Sequence, residues 1–220
     1  MQLGRWVLEQ ACQQLHAWQQ LPGTGSLWMA VNVSSRQIQR PGFAEDVDAI
    51  VAAPGISPSS LVLEITEHVL VRDSESIHST FLRLRSSGIH IAIDDFGTGY
   101  SSFSSLQRFP VDTLKLDRSF VVRAVGDQHG TALLRALVDA GVAHGASIVA
   151  EGIETKAQLD LVRSLGCDLG QGFLLSPPLD GLDVAALLAA RQRPWDRSIG
   201  AGRNQGVDDP ASVLAVGPRG

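Results

Sequence analysis

Cysteine is nearly absent: Cys12 and Cys167 stand alone among 220 residues. Their isolation excludes a disulfide framework and a cysteine-ligated zinc site, and predicts two reduced core thiols. The six histidines (His16, His68, His78, His90, His129 and His144) are scattered, so they form no cluster for zinc and read as surface or packing residues. No apolar run approaches the ~18 residues that a membrane span needs. The best stretch, residues 131–150, is broken by Arg135, Asp139 and His144. A basic excess is also lacking: 18 Lys and Arg stand against 23 Asp and Glu, net −5, with the signs interspersed. That balance argues against a nucleic-acid polymer as partner. The N-terminus carries no basic-then-apolar signal pattern, so the chain is expected in the cytoplasm.

What is present is enough apolar residue, 44% of the chain, to bury one sizeable core. Helical spacing recurs along the sequence. Residues 4–20 carry Val7, Ala11, Leu15 and Trp18 on one stripe, and residues 43–53 carry Val47, Ile50 and Val51. Asp73 is placed to cap a helix bearing Ile77, Phe81 and Leu84, stopped by Gly88. A short helix is predicted over 101–108. A long one over 128–145 has Asp127 at its start and Leu134, Leu137, Val138, Gly141 and Val142 on its apolar stripe. Thr155 and Gln158 form a capping box for a helix ending at Gly166. A last helix covers about 182–191. Met29 and the tryptophans read as core. From Pro194 to Gly220 the sequence is rich in Gly, Pro, Asp and Arg without apolar period, and is expected to be a disordered tail.

Between these helices lie six apolar runs, each ending on a polar or ionisable group. Residues 26–34 (SLWMAVNVS) deliver Asn32, and 61–66 (LVLEIT) deliver Glu64 with Glu67 just beyond. Residues 89–102 (IHIAIDDFGTGYSS) run into Asp94 and Asp95, then a Gly-Thr-Gly turn. Residues 111–117 (VDTLKLD) deliver Lys115 and Asp117, two apart and so on one strand face. Residues 147–152 (SIVAEG) deliver Glu151 with Glu154 following, and 167–174 (CDLGQGFL) deliver Gln171. A strand stopping on paired carboxylates costs folding energy unless something positive, most simply a divalent cation, sits between them.

Strand and helix alternate throughout, which predicts a parallel sheet with crossover helices. Two architectures fit, an open doubly wound sheet or a barrel of βα units. The doubly wound sheet concentrates its site at one switch point, whereas here every strand end is armed, as at the C-terminal rim of a barrel. The fold expected is therefore a TIM-like (β/α) barrel, incomplete, with about six of the usual eight strands.

Each residue also has a plainer role open to it. Asn32 could cap the next helix, Lys115 and Asp117 could be a structural ion pair, Glu151 and Glu154 a solvated helix start, and Gln171 a loop amide. Glu64 resists such a reading, because a charge inside LVLEIT is hard to place on the surface of a parallel sheet.

The stretches VNVSSRQ, LEITEH, AIDDFGTGYSS, LKLDRSFV, VAEGIET and GQGFLLSPPL resemble, in order and spacing, the EAL family of cyclic di-GMP phosphodiesterases. The Glu-Ala-Leu motif itself is absent, as is the arginine that follows it, so residues 1–193 read as a partial EAL domain and 194–220 as its tail. Pro177 stands where many relatives carry a basic residue. The resemblance implies that Asn32, Glu64 and Asp94 bind one divalent ion and that Asp95 helps to bind a second. Mg2+ or Mn2+ is implied, two ions in a complete domain. Lys115, Glu151 and Asp95 would be the catalytic residues. Asp117, Glu154 and Gln171 would contact substrate or the outer metal shell, and Glu67 would anchor the loop after Asp95. The implied activity is hydrolysis of cyclic di-GMP to linear pGpG, expected to be weak without the missing glutamate. The alternative class is a non-catalytic cyclic di-GMP-binding or protein-interaction module. A homodimer or an upstream signalling domain is the expected partner.

Overall fold

The computed structural model describes residues 2–71, 75–99 and 106–190. The expected Asp73 cap, most of the expected 101–108 helix and the expected 194–220 tail lie outside them. Among the described residues six strands form one sheet: β1 (Met29–Asn32), β2 (Leu61–Thr66), β3 (His90–Phe96), β4 (Thr113–Leu116), β5 (Ser147–Ala150) and β6 (Leu169–Gly170). All five pairings are parallel, and the spatial order is the sequence order. A doubly wound sheet must reverse its strand order at a switch point. Here every crossover steps on by one strand, the winding of a TIM-like barrel, and six strands leave that barrel incomplete.

The connecting helices are α1 (Gln2–Gln19), α2 (Ser35–Ile38), α3 (Phe43–Ala52), α4 (His68–Val71), α5 (Glu75–Ser86), α6 (Arg118–Ala124), α7 (Gln128–His144), α8 (Lys156–Ser164) and α9 (Gly181–Ala189). Their ends follow local chemistry. Asp127 accepts hydrogen bonds from the amides of His129 and Gly130, and Gly145 closes α7 in the left-handed region. The Thr155–Gln158 capping box opens α8 as expected. The sequence gives no clear signal for α6, because RSFVVRA is short and carries two adjacent β-branched valines.

Alternation along the strands divides the sheet into two faces. Met29, Val31, Leu61, Leu63, Ile65, Ile91, Ile93, Leu114, Leu116 and Ile148 join Leu8, Leu15, Phe81 and Leu134 of the helices in one large core. The opposite positions Ala30, Val62 and Ala92 form a separate small cluster with Trp28. Small residues there leave room for the longer polar chains that follow on the same face. Gly141 of α7 shows how closely helix and sheet approach, since a Cβ there would lie 2.3 Å from Ile148 Cδ1. At the strands' N-terminal end, Asp112 accepts from the Ile91 amide at 2.9 Å and Asp168 from the Ile148 amide at 2.7 Å. Each carboxylate ties its own connection to the neighbouring strand and so fixes register.

Three expectations need correction. Trp6 is 55% exposed rather than core, because only one face of α1 meets the sheet. Val142 is 58% exposed, one step beyond the stripe that ends at Gly141. Strand β3 does not stop at the acid pair; it continues to Phe96 through a register irregularity between Ile93 and Phe96. Cys12 is buried and Cys167 half-buried, and burial lifts both thiols to about 11, with Asp168 adding to the effect at Cys167.

Candidate active site at the C-terminal rim

Four strands deliver the central cluster. Glu64 lies in β2, Asp94 in β3 and Lys115 in β4, while Glu151 follows β5 directly. Lys115 Nζ lies 3.0 Å from Glu64 Oε1, 2.9 Å from Asp94 Oδ1 and 2.7 Å from Glu151 Oε1. The ammonium therefore has a carboxylate for each of its three hydrogens. Lys115 and Glu64 are each only 4% exposed. Burial opposes the charge on Lys115, but the attraction of Glu64, Glu151 and Asp94 outweighs it and raises the lysine above its ordinary value. Burial also raises the carboxyls of Glu64 and Glu151, which Lys115 only partly offsets. One cation among three acids leaves a local excess of negative charge.

Asp95 enlarges that excess. Its carboxyl is raised by partial burial first, then by the charges of Asp94 and Asp117. Its φ of 55° makes it the one non-glycine among the described residues in the left-handed region. That turn is how two successive residues both reach the rim, although alternation would send them to opposite faces. Carboxylate oxygens of Asp94, Asp95 and Glu151 all lie within 4.8 Å of one another. Oxygen donors at this spacing, with excess negative charge and no His or Cys among them, fit a hard divalent cation.

Asn32 ends β1 opposite Glu64, is exposed, and does not cap the next helix; Ser34 does, through a complete capping box with Gln37. Lys115 pairs across strands rather than with Asp117. Asp117 lies past the end of β4 and caps α6, accepting from the Ser119 amide at 2.9 Å. Gln171 follows β6, and its Oε1 is buried with no partner among the described residues. An orphaned buried acceptor beside an acidic rim is a further site for a ligand's donor. Glu154 stands apart: it is exposed and pairs with Arg118 at 3.0 Å.

Glu67 is 1% exposed, and its Oε2 accepts from the amides of Gly97 and Gly99, both at 3.0 Å. The carboxylate thus holds the turn that follows Asp95. Replacing Glu67 by alanine strands two amides, and we expect a loss of about 1–3 kcal/mol in urea denaturation. Amide exchange at Gly97 and Gly99 should accelerate as well; unchanged exchange at both would remove Glu67 as the anchor. Arg118 was not singled out from the sequence, because a lone arginine after a strand carries no signal of its own.

Comparison with known proteins agrees with this architecture. The family model described as the EAL domain matches residues 1–178. MucR of Pseudomonas aeruginosa, a bifunctional diguanylate cyclase and cyclic di-GMP phosphodiesterase, is 39% identical over 190 residues, 86% of this chain and 27% of MucR. The structure of the MucR phosphodiesterase in complex with cyclic di-GMP superposes with TM-score 0.78 at 38% identity, covering 83% of this chain and 74% of that one. The EAL domain of Mycobacterium smegmatis DcpA gives TM-score 0.82 at 41% identity, covering 87% and 85% of the two chains. Klebsiella pneumoniae BlrP1, in a manganese and cyclic di-GMP complex, gives TM-score 0.70 at 30% identity over 79% of this chain and 44% of that one. The chain spans 27–31% of the length of the first curated relatives it matches. No helix among the described residues is long and apolar enough to cross a membrane.

Proposed function

Because the chain belongs to the EAL domain family, we propose that its rim binds cyclic di-GMP and hydrolyses one phosphodiester bond to give linear pGpG. The observation that carries this reading is the Lys115 ammonium held among Glu64, Asp94 and Glu151, beside the further acid Asp95. Asn32, Glu64 and Asp94 would hold one Mg2+ or Mn2+, and Asp95 would take part in holding a second. When bound, such ions acidify water and neutralise charge on a transferred phosphoryl group.

The remaining work falls to the side chains. Asp95, exposed at the mouth, borders the attacking water and accepts its proton. Water oxygen bonds to phosphorus, the bond from phosphorus to the ribose 3′-oxygen breaks, and that oxygen takes up a proton. Lys115 keeps its charge and stabilises the negative charge that grows on the phosphoryl oxygens. Glu151 holds Lys115 in place at 2.7 Å. The orphaned Gln171 Oε1 accepts from the substrate or from water beside it, and Asp117 steepens the field at Asp95. Residues 1–193 would form the domain, working in the cytoplasm as a homodimer or beside an upstream signalling domain, with 194–220 as its tail.

The test incubates the purified chain with radiolabelled cyclic di-GMP and Mn2+ or Mg2+, with and without a chelator. We expect metal-dependent pGpG that the chelator abolishes. Binding of cyclic di-GMP without turnover would replace this reading with the non-catalytic binding module. Failure of both would overturn it.

A further inference from the structure

Besides the Gln158 Oε1 that accepts from the Glu154 amide at 2.7 Å, the turn over residues 151–154 is held from three sides. At its start, the Glu151 amide donates to the Leu116 carbonyl at 3.1 Å, and the Glu151 carboxylate meets Lys115. In its middle, the Ile153 amide donates to the Gln171 carbonyl, and the Leu174 amide to the Ile153 carbonyl, both at 3.0 Å. The turn therefore joins Glu151 and Gln171, two members of the proposed site. The third side is Arg118, first residue of α6. Gly152 sits at φ +66°, and a Cβ there would lie 2.2 Å from Arg118 Cγ and 2.5 Å from Arg118 Cβ. The arginine stem thus lies directly across the glycine. Its guanidinium reaches on to Glu154, with Nη2 and Oε1 3.0 Å apart.

We propose that Arg118 is a positioning residue. Its stem clamps Gly152 and its head ties Glu154, so the turn keeps the Glu151 carboxylate on Lys115 and the Gln171 loop beside it. This gives Glu154 a role as the far post of the clamp. The exposed ion pair by itself contributes little to stability. The effect lies in geometry, because displacing a supporting group loosens the residue it orients more than it weakens the fold. The inference rests on the hydrolysis reading for its kinetic consequence and on the structure alone for its mechanical one.

The experiment compares wild type with Arg118→Ala, Arg118→Lys and Glu154→Gln in the full 220-residue chain. For Arg118→Ala we expect kcat to fall about tenfold, KM for cyclic di-GMP to stay within about twofold, and the denaturation midpoint to move little. Amide exchange at Ile153 and Leu174 should quicken about tenfold while exchange in β4 is unchanged. Arg118→Lys, which keeps stem and charge, should recover most of both signals, and Glu154→Gln should reproduce part of the loss. A large rise in KM for Arg118→Ala with Glu154→Gln silent would show direct contact with substrate and overturn the proposal. Unchanged exchange in Arg118→Ala would overturn it too. If wild type shows no turnover, the hydrolysis reading fails, and exchange at Ile153 and Leu174 still decides whether Arg118 holds the turn.

Discussion

Asp94→Asn will lower turnover of cyclic di-GMP by about a thousandfold or more while the protein remains folded. Asparagine keeps the shape of aspartate and one oxygen to accept from Lys115, whose Nζ lies 2.9 Å from Asp94 Oδ1. What disappears is a unit of negative charge at the centre of the acidic rim. Asp94 belongs with Asp95 and Glu151 to the group whose carboxylate oxygens lie within 4.8 Å of one another. Its charge also raises the carboxyls of Asp95, Glu64 and Glu151. The substitution therefore weakens cation binding and lowers those three pKa values together. Steady-state rates and the urea midpoint of wild type and Asp94→Asn provide the check. A rate within tenfold of wild type would remove Asp94 from the site.

The fold was legible because its two periodicities are clean. Leu61, Leu63 and Ile65 alternate with Val62 and Glu64 in β2, and α7 carries its buried stripe from Leu134 to Gly141. Periodicity alone could not give the strand order, since the pattern of a parallel strand is the same in a barrel and in an open sheet; the polar group at every strand end pointed to a barrel, and the pairing shows it. Site residues were legible where charge conflicted with burial. Glu64 inside an apolar strand is the clearest case, and it is the acid that turns out 4% exposed. Asn32 was ambiguous because the cap of α2 lies two residues later, at Ser34, and sequence alone does not choose between them. Spacing from Lys115 puts Asp117 on the strand face, but the strand ends at Leu116 and spacing carries no meaning beyond that end. The Asp95 turn and the Arg118 clamp were hidden for a common reason. Both depend on backbone placement, a φ of 55° in one case and the approach of Gly152 in the other, which no side-chain pattern announces.

Lys115→Met should cost both the reaction and much of the stability. Methionine fills the same apolar stem but removes the single cation shared by Glu64, Asp94 and Glu151. Stripping one partner from a buried ion cluster costs about 3–5 kcal/mol, because the remaining charges stay desolvated. Turnover should fall by about a thousandfold or more, since charge growing on the phosphoryl oxygens loses its ammonium. The pH dependence gives the sharper signature. In wild type, Lys115 is raised above its ordinary 10.5, so its contribution is fully present below that value and is lost as pH rises through the folded pKa. Glu64 and Glu151 are raised above their ordinary 4.5 even with Lys115 beside them, and Lys115 acts to lower both. Without the lysine they rise further and take up protons more readily in the folded state. Protonation relieves the repulsion, so the deficit of Lys115→Met should be smallest near 4.5 and grow as pH climbs through the folded carboxyl pKa values. Urea denaturation of both proteins between about pH 5 and about pH 8, with a chelator present, measures that difference. Added Mn2+ should then recover part of the loss at about pH 8, because a divalent ion can replace the missing positive charge. A deficit independent of pH, or larger in acid, would mean that Lys115 serves packing rather than charge, and the electrostatic account of the rim would fall with it.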